Sequence, residues 1–210
     1  MRALRKGEVI AVGIDVALAH MGFAKAIVSA KEAKIVEVVE LLLVTTKPEN
    51  KKTVRRSSDR VRRGKELLQE MRRFCCGGTM AIAEVPEGSQ DAQAAWALGV
   101  ATGILCSCPL PLIEVSPREV KLATVRKETA SKDEMRRWGY SAFPEAPWKT
   151  HGGRRTKDNE HLADALASIQ AGLLTEQFRG FAGCWTVAEI MASPMEDEPE
   201  APRVRRRLKL

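Results

Sequence analysis

Short continuous apolar runs and longer half-apolar stretches follow one another along this chain. Val9-Ile10-Ala11-Val12-Gly13-Ile14 has the look of a buried strand, and it stops at Asp15. Gly22 to Val28 and Ile35 to Val44 come after short breaks, the latter with Val38-Val39 and Leu41-Leu42-Leu43 interrupting strict alternation. Strands with links this short predict an antiparallel meander. From Thr53 to Phe74 the period changes. Val54, Val61, Leu67, Leu68, Met71 and Phe74 approximate one helical face, and Cys75-Cys76-Gly77-Gly78 ends the helix.

The second half alternates strand and helix. Met80 to Val85 predicts a buried strand carrying Glu84, Ser89 to Cys106 a helix, and Leu112 to Val115 a further strand. Ser116-Pro117-Arg118-Glu119 and Ser131-Lys132-Asp133-Glu134 each place a glutamate three residues after a serine, the spacing of a capping box, so a helix starts at each. Gly139 to Asn159, rich in Pro, Gly and aromatic residues, reads as a loop, and His161 to Leu174 as a helix. The expected organisation is one domain over 1–176. A C-terminal extension over 177–210 is expected to be largely disordered, acidic at Glu196 to Glu200 and basic at Arg203 to Lys209. The order of elements is mixed α/β.

Composition narrows the function classes. Hydrophobic residues make up 44% of the 210 positions, enough for a core. No apolar run reaches the roughly 18 residues a membrane span needs. Arg2, Arg5 and Lys6 before an apolar stretch imitate a signal peptide, but Glu8 and Asp15 charge that stretch and exclude the reading. The five cysteines are an odd number without C-x-x-C, which fits reduced thiols in a cytoplasmic protein. Lys and Arg exceed Asp and Glu by 34 to 27, and much of the excess lies between Lys47 and Arg73. The ordinary reading of that segment is a solvated helix face. Its density of charge also suits a phosphate-binding surface, with Arg55, Arg56, Arg62 and Arg63 as candidate DNA contacts.

Candidate chemistry rests on acids at unexpected places. Asp15 and Glu84 each close an apolar strand, and a buried carboxylate needs a cation or a metal. Taken singly, each is more simply an acid at a wet strand end. A third element, Asn159-Glu160-His161-Leu162-Ala163-Asp164, sets His161 and Asp164 three apart on one helical face. Carboxylates and one imidazole converging from two strand ends and a helix would suit a hard divalent cation such as Mg²⁺ or Mn²⁺.

The chain resembles the RuvC-type Holliday junction resolvases of the RNase H-like nuclease superfamily, from about Val9 to Gly172. The likeness is carried by Gly13-Ile14-Asp15 with Gly22, by Ile82-Ala83-Glu84, and by Ala95-x-x-Leu98-Gly99-x-x-x-Gly103. Ser116-Pro117 with Val120-Lys121, Ala130-Ser131-Lys132 and His161-x-x-Asp164-Ala165-Leu166-Ala167 add to it. The resemblance implies an RNase H-like mixed five-stranded sheet flanked by helices, and a homodimer cutting branched DNA. It also implies Mg²⁺-dependent hydrolysis with two ions per site, about 4 Å apart, for which Mn²⁺ can substitute. Asp15, Glu84 and Asp164 match its metal-binding acids, and His161 matches a position occupied by His or Asp. Lys121 and Lys132 match basic positions that contact DNA phosphates, although a lysine is ordinarily just solvated. Ala95, Gly99 and Gly103 form a stripe of small residues that could meet either the sheet or a symmetry mate.

There are departures. Glu87 stands where such resolvases commonly place an aromatic wedge, so discrimination between four-way junctions and three-way or flap DNA is expected to be looser. Trp96, expected in the core, and Trp148, in the long loop, are substitute wedges. Val16 replaces a usual proline, and the 139–159 stretch looks particular to this chain. These departures fit a divergent, phage-encoded relative acting in a host cytoplasm. The alternatives are an RNase H-type ribonuclease and a non-catalytic branched-DNA-binding protein of the same fold. An actin-like ATPase needs more residues than the chain has.

Overall fold

The computed structural model describes residues 2–49, 53–85, 88 and 91–192, with side chains described to residue 184. The three N-terminal strands form as the pattern predicts: β1 (Glu8–Asp15), β2 (His20–Ser29) and β3 (Lys34–Thr45), antiparallel in sequence. The Val38-Val39 interruption in β3 has a cause. Its register against β2 shifts between Lys25 and Ala26 and again between Ile27 and Val28. A bulge inserts an unpaired residue and turns the next side chains over, so strict period two cannot persist.

Helix α1 (Arg56–Cys75) leads to β4 (Met80–Glu84), then come α2 (Ala92–Leu105) and β5 (Leu112–Val115). β4 runs parallel to both β1 and β5, giving the mixed order β3-β2-β1-β4-β5. Strand alternation sends Val12, Ile14, Ala81 and Ala83 into a core with α1 and α2, and Ala11, Met80, Ile82 and Ile113 into a core on the opposite face. Helices α3 (Pro117–Thr124), α4 (Lys132–Ala142) and α5 (Asn159–Gly172) close that second face. Both capping boxes form: the Ser116 and Ser131 hydroxyls accept from the backbone N–H of Glu119 and Glu134, and each glutamate accepts in return.

Two expectations need correction. The stretch from Gly139 to Asn159 is not one loop. Its start completes α4, and β6 (Thr150–His151) and β7 (Arg154–Arg155) form a hairpin turned by Gly152 and Gly153 at φ 55° and 75°. Nor does the chain thin out at 177, because α6 (Glu176–Ala192) follows. Phe178 is buried in the α5 core with Phe181 and Ala182 packed against it, an apolar contact that the polar residues around it conceal in the sequence. The acidic and basic runs beyond lie outside the described residues, as does Glu87. All five cysteines are free thiols, and no helix among the described residues is long and apolar enough to cross a membrane.

Candidate active site

The site forms where β1 and β4 end side by side. Asp15 and Glu84 are register partners, each two residues beyond a residue facing α5 (Gly13 and Ile82), so alternation delivers both acids to the α5 face. Getting α5 there depends on glycine. A Cβ on Gly13 would lie 2.0 Å from the Ala165 carbonyl oxygen, and one on Gly22 would lie 2.2 Å from that of His161. Backbone therefore rests on backbone, and the first turns of α5 sit directly over the ends of β1 and β2. Asn159, fully buried, anchors the start of the helix. It donates Nδ2–H to Tyr140 Oη and the Lys149 carbonyl, both at 3.0 Å, and accepts from the Lys149 N–H at 2.9 Å.

His161 donates Nδ1–H to Asp15 Oδ2 at 2.7 Å. That bond raises the imidazole pKa against the opposing effect of burial. Burial pushes the Glu84 carboxyl up to about 7, and the negative charge of Asp15 adds to it, while Lys121 acts the other way. Asp164 is pushed up to about 8, first by burial, then by the charges of Asp15, Glu84 and Glu160, with His161 opposing. All four predicted site residues are thus electrostatically coupled. Like-charged carboxylates gathered at a half-dry strand end each make ionisation of the others costlier.

Two lysines flank them. Lys121 lies close enough to lower the pKa of Glu84, and Lys132 at the start of α4 pairs with Glu160 and feels Asp164 and Asp15. The arginine candidates divide. Arg55 and Arg56 are exposed at the start of α1. Arg62 is held by Glu49 at 3.0 Å, Asp59 at 2.8 Å and Glu66 at 3.2 Å, with its Nη2 also donating to the Lys47 carbonyl. Arg63 is corrected outright as a DNA contact. It is 8% exposed and donates to Thr46 Oγ1 at 2.9 Å and the Leu18 carbonyl at 3.2 Å, tying α1 to the β1–β2 connection. Helical periodicity placed it among charged neighbours without showing that its turn faces inward. Trp148 is also no wedge: it is buried, with Nε1–H donating to the Phe143 carbonyl at 2.8 Å. Trp96 is half-buried under the Arg60 guanidinium.

One residue escaped sequence reasoning. His20 opens β2 and stacks on His161 with ring centroids 5.2 Å apart. The available signal was its place directly after the tight turn that follows Asp15, which returns the chain beside that acid.

Among the described residues no three His, Cys, Asp or Glu side chains already form a metal-holding group. The donor set nevertheless fits a hard divalent cation. Mg²⁺ is ordinarily bound through one or two carboxylates together with waters and substrate phosphates, so a closed protein cage is not required. The raised acids Glu84 and Asp164 are the expected condition of such ligands without their counter-charge.

The sheet order and its covering helices define the fold class first: a mixed α/β fold of the RNase H-like type. Within that class the fold is that of RuvC. The chain is similar to the Thermus thermophilus RuvC structure in complex with Holliday junction substrate, with TM-score 0.57 and 21% identity over 83% of this chain and 96% of that one. A second Thermus thermophilus RuvC structure matches with TM-score 0.52 and 24% identity over the same shares. No protein-family model and no curated protein sequence matches.

Proposed function

We propose that this protein is a metal-dependent, structure-selective DNA endonuclease that cuts four-way junctions and other branched DNA. The observation carrying the proposal is the convergence of Asp15, Glu84, His161 and Asp164 at one end of the sheet, with two acids raised by burial and mutual repulsion. The RuvC fold supports it, because one matching structure holds Holliday junction substrate.

Asp15, Glu84 and Asp164, with His161 beside them, would hold two Mg²⁺ ions, or Mn²⁺ in their place. Bound there, such ions would activate a water as nucleophile and offset the charge developing on the scissile phosphate and the leaving oxygen. The protein's own part is orientation and charge. His161 fixes the carboxylate of Asp15 in one rotamer through its Nδ1–H bond. Lys121 and Lys132 set positive charge at the rim, where a phosphate backbone would enter. Paired cuts need two sites, and we place the second in a homodimer. Gly99 and Gly103 on α2 face open space rather than the sheet, so this stripe of small residues is free to meet a symmetry mate.

The test incubates the purified protein and Mg²⁺ with labelled four-way, three-way, flap and linear duplex DNA and with an RNA–DNA hybrid. Cleavage of branched DNA by wild type and none by Asp164→Asn is the expected result. Cleavage of the hybrid alone would make it a ribonuclease. Binding of branched DNA without cleavage would make it a non-catalytic binder.

A further inference from the structure

A cavity of about 390 Å³ opens between α4 and the β6–β7 hairpin, apart from the carboxylate cluster. Arg136 and Arg137 line it from α4, Arg155 and Lys157 from the hairpin and the segment after it. The one acid in its wall, Asp133, is already paired with Arg136. Arg137, Arg155 and Lys157 have no carboxylate within ion-pair distance among the described residues. The positive charge here therefore lacks an internal counter-charge.

The site is also held in shape. The Arg155 guanidinium lies over the Tyr140 ring at 4.3 Å and donates to the Pro144 carbonyl at 3.2 Å. Tyr140 packs edge-on against buried Trp148 at 4.9 Å, and its hydroxyl accepts from Asn159. Arg137 is steadied by donating Nε–H to the Asp133 carbonyl. Thr156, also in the wall, has a buried hydroxyl oxygen with no hydrogen-bond partner. A stacked, pre-oriented guanidinium loses little freedom when it grips an oxyanion.

We propose that this cavity binds a backbone phosphate of the DNA, away from the scissile one, and so grips a second stretch of the substrate. This inference rests on the nuclease reading for its ligand. Position favours it. Arg136 lies one helical turn beyond Lys132, which reaches Glu160 at the start of α5, and Lys157 lies four residues before His161. A strand leaving the carboxylate cluster past Lys132 would meet the cavity next.

The experiment compares Asp164→Asn with the triple variant Asp164→Asn/Arg137→Ala/Lys157→Ala, both uncleaving, for binding to four-way and linear duplex DNA over a range of salt. Arg155 is left in place because it also braces the hairpin. The slope of log K against log salt is expected to fall by about 1–2 on removing the two cations. Thermal melting, with and without inorganic phosphate, accompanies it. An unchanged slope at unchanged melting temperature would overturn the proposal. An unchanged slope with a phosphate-induced stabilisation that the triple variant loses would mean that the cavity takes a free phosphate instead, and would also overturn it. Should the triple variant melt early, Asp164→Asn/Arg137→Gln and Asp164→Asn/Lys157→Gln are read separately instead: a slope lowered by about 1 in each is expected, and an unchanged slope in both would overturn the proposal. Cleavage by otherwise wild-type protein is scored separately. Failure to cut branched DNA with a reduced slope would sink the nuclease reading and leave this site standing, and normal cutting with an unchanged slope would do the reverse.

Discussion

Asp164 and Glu84 carry their charge against the fold's interest. Because both folded-state pKa values lie above the ordinary carboxylate range, the folded protein binds more protons than the unfolded chain between about pH 4 and pH 8. Stability then falls as pH rises through that window. The raised imidazole of His161 acts in the same direction, since its bond to Asp15 is strongest when the ring is charged and weakens above its folded pKa. Glu8 and Glu134, both held at about 2, act only at the acid end, where stability is lost as pH falls below about 4. Metal-free protein in chelator is therefore expected to melt lower at pH 8.5 than at pH 6, and Mg²⁺ to raise the melting temperature more at pH 8.5. Equal melting at both pH values would contradict the clustering. For the same reason Asp164→Asn should stabilise the metal-free protein at pH 8 by about 2 kcal/mol while lowering cleavage on the order of 10³-fold. Denaturant unfolding beside a cleavage assay reads both. His161→Ala should reduce cleavage less, because it frees the rotamer of Asp15 without removing a carboxylate.

At the level of elements, close approach decides whether those residues meet. Gly13→Ala would set a methyl group 2.0 Å from the Ala165 carbonyl oxygen, and backbone has no flexible end to yield. The variant is expected to lose on the order of 3 kcal/mol of stability, and its cleavage with it, as α5 lifts from β1. Gly13→Ala melting like wild type would mean that α5 does not rest on β1 as described. Helix α1 offers the contrasting case of charge. Arg63→Ala removes a buried cation bonded to Thr46 and the Leu18 carbonyl, and should cost about 2 kcal/mol in urea unfolding with the salt slope of DNA binding unchanged. Exposed Arg56→Ala should do the opposite, leaving stability within about 0.5 kcal/mol and lowering that slope by about 1. Two arginines seven residues apart thereby separate structural from surface charge.

For the whole molecule, the proposed homodimer makes a prediction of its own. An alanine at Gly99 meets open space in the monomer and improves helix propensity by about 1 kcal/mol. Gly99→Leu should also leave the monomer folded, yet convert a dimer to monomers in sedimentation if two α2 helices approach along the Ala95, Gly99 and Gly103 stripe. A dimer that survives this substitution places the interface elsewhere. The basic surplus acts at this scale too, since the exposed arginines of α1, the rim lysines and the α4–hairpin cavity are contributed by separate parts of the chain.

Local rules carried much of this protein. Apolar runs locate the five sheet strands, serine–glutamate spacing locates the starts of α3 and α4, and acids ending apolar strands single out Asp15 and Glu84 as candidates. Those signals lie within a few residues of each other, where backbone geometry and solvation act directly. What only tertiary structure decided involves partners far apart in the chain. The inward turn of Arg63, the burial of Trp148, the stacking of His20 on His161 and the grip of Asn159 on the hairpin all depend on which segments come to lie together. The Gly152-Gly153 hairpin was missed for a related reason: its strands are two residues each, too short for an alternation to register. The unusual protonation of Glu84 and Asp164 belongs to the same class, because it arises from burial and from the field of Asp15, and neither exists until β1, β4 and α5 have packed.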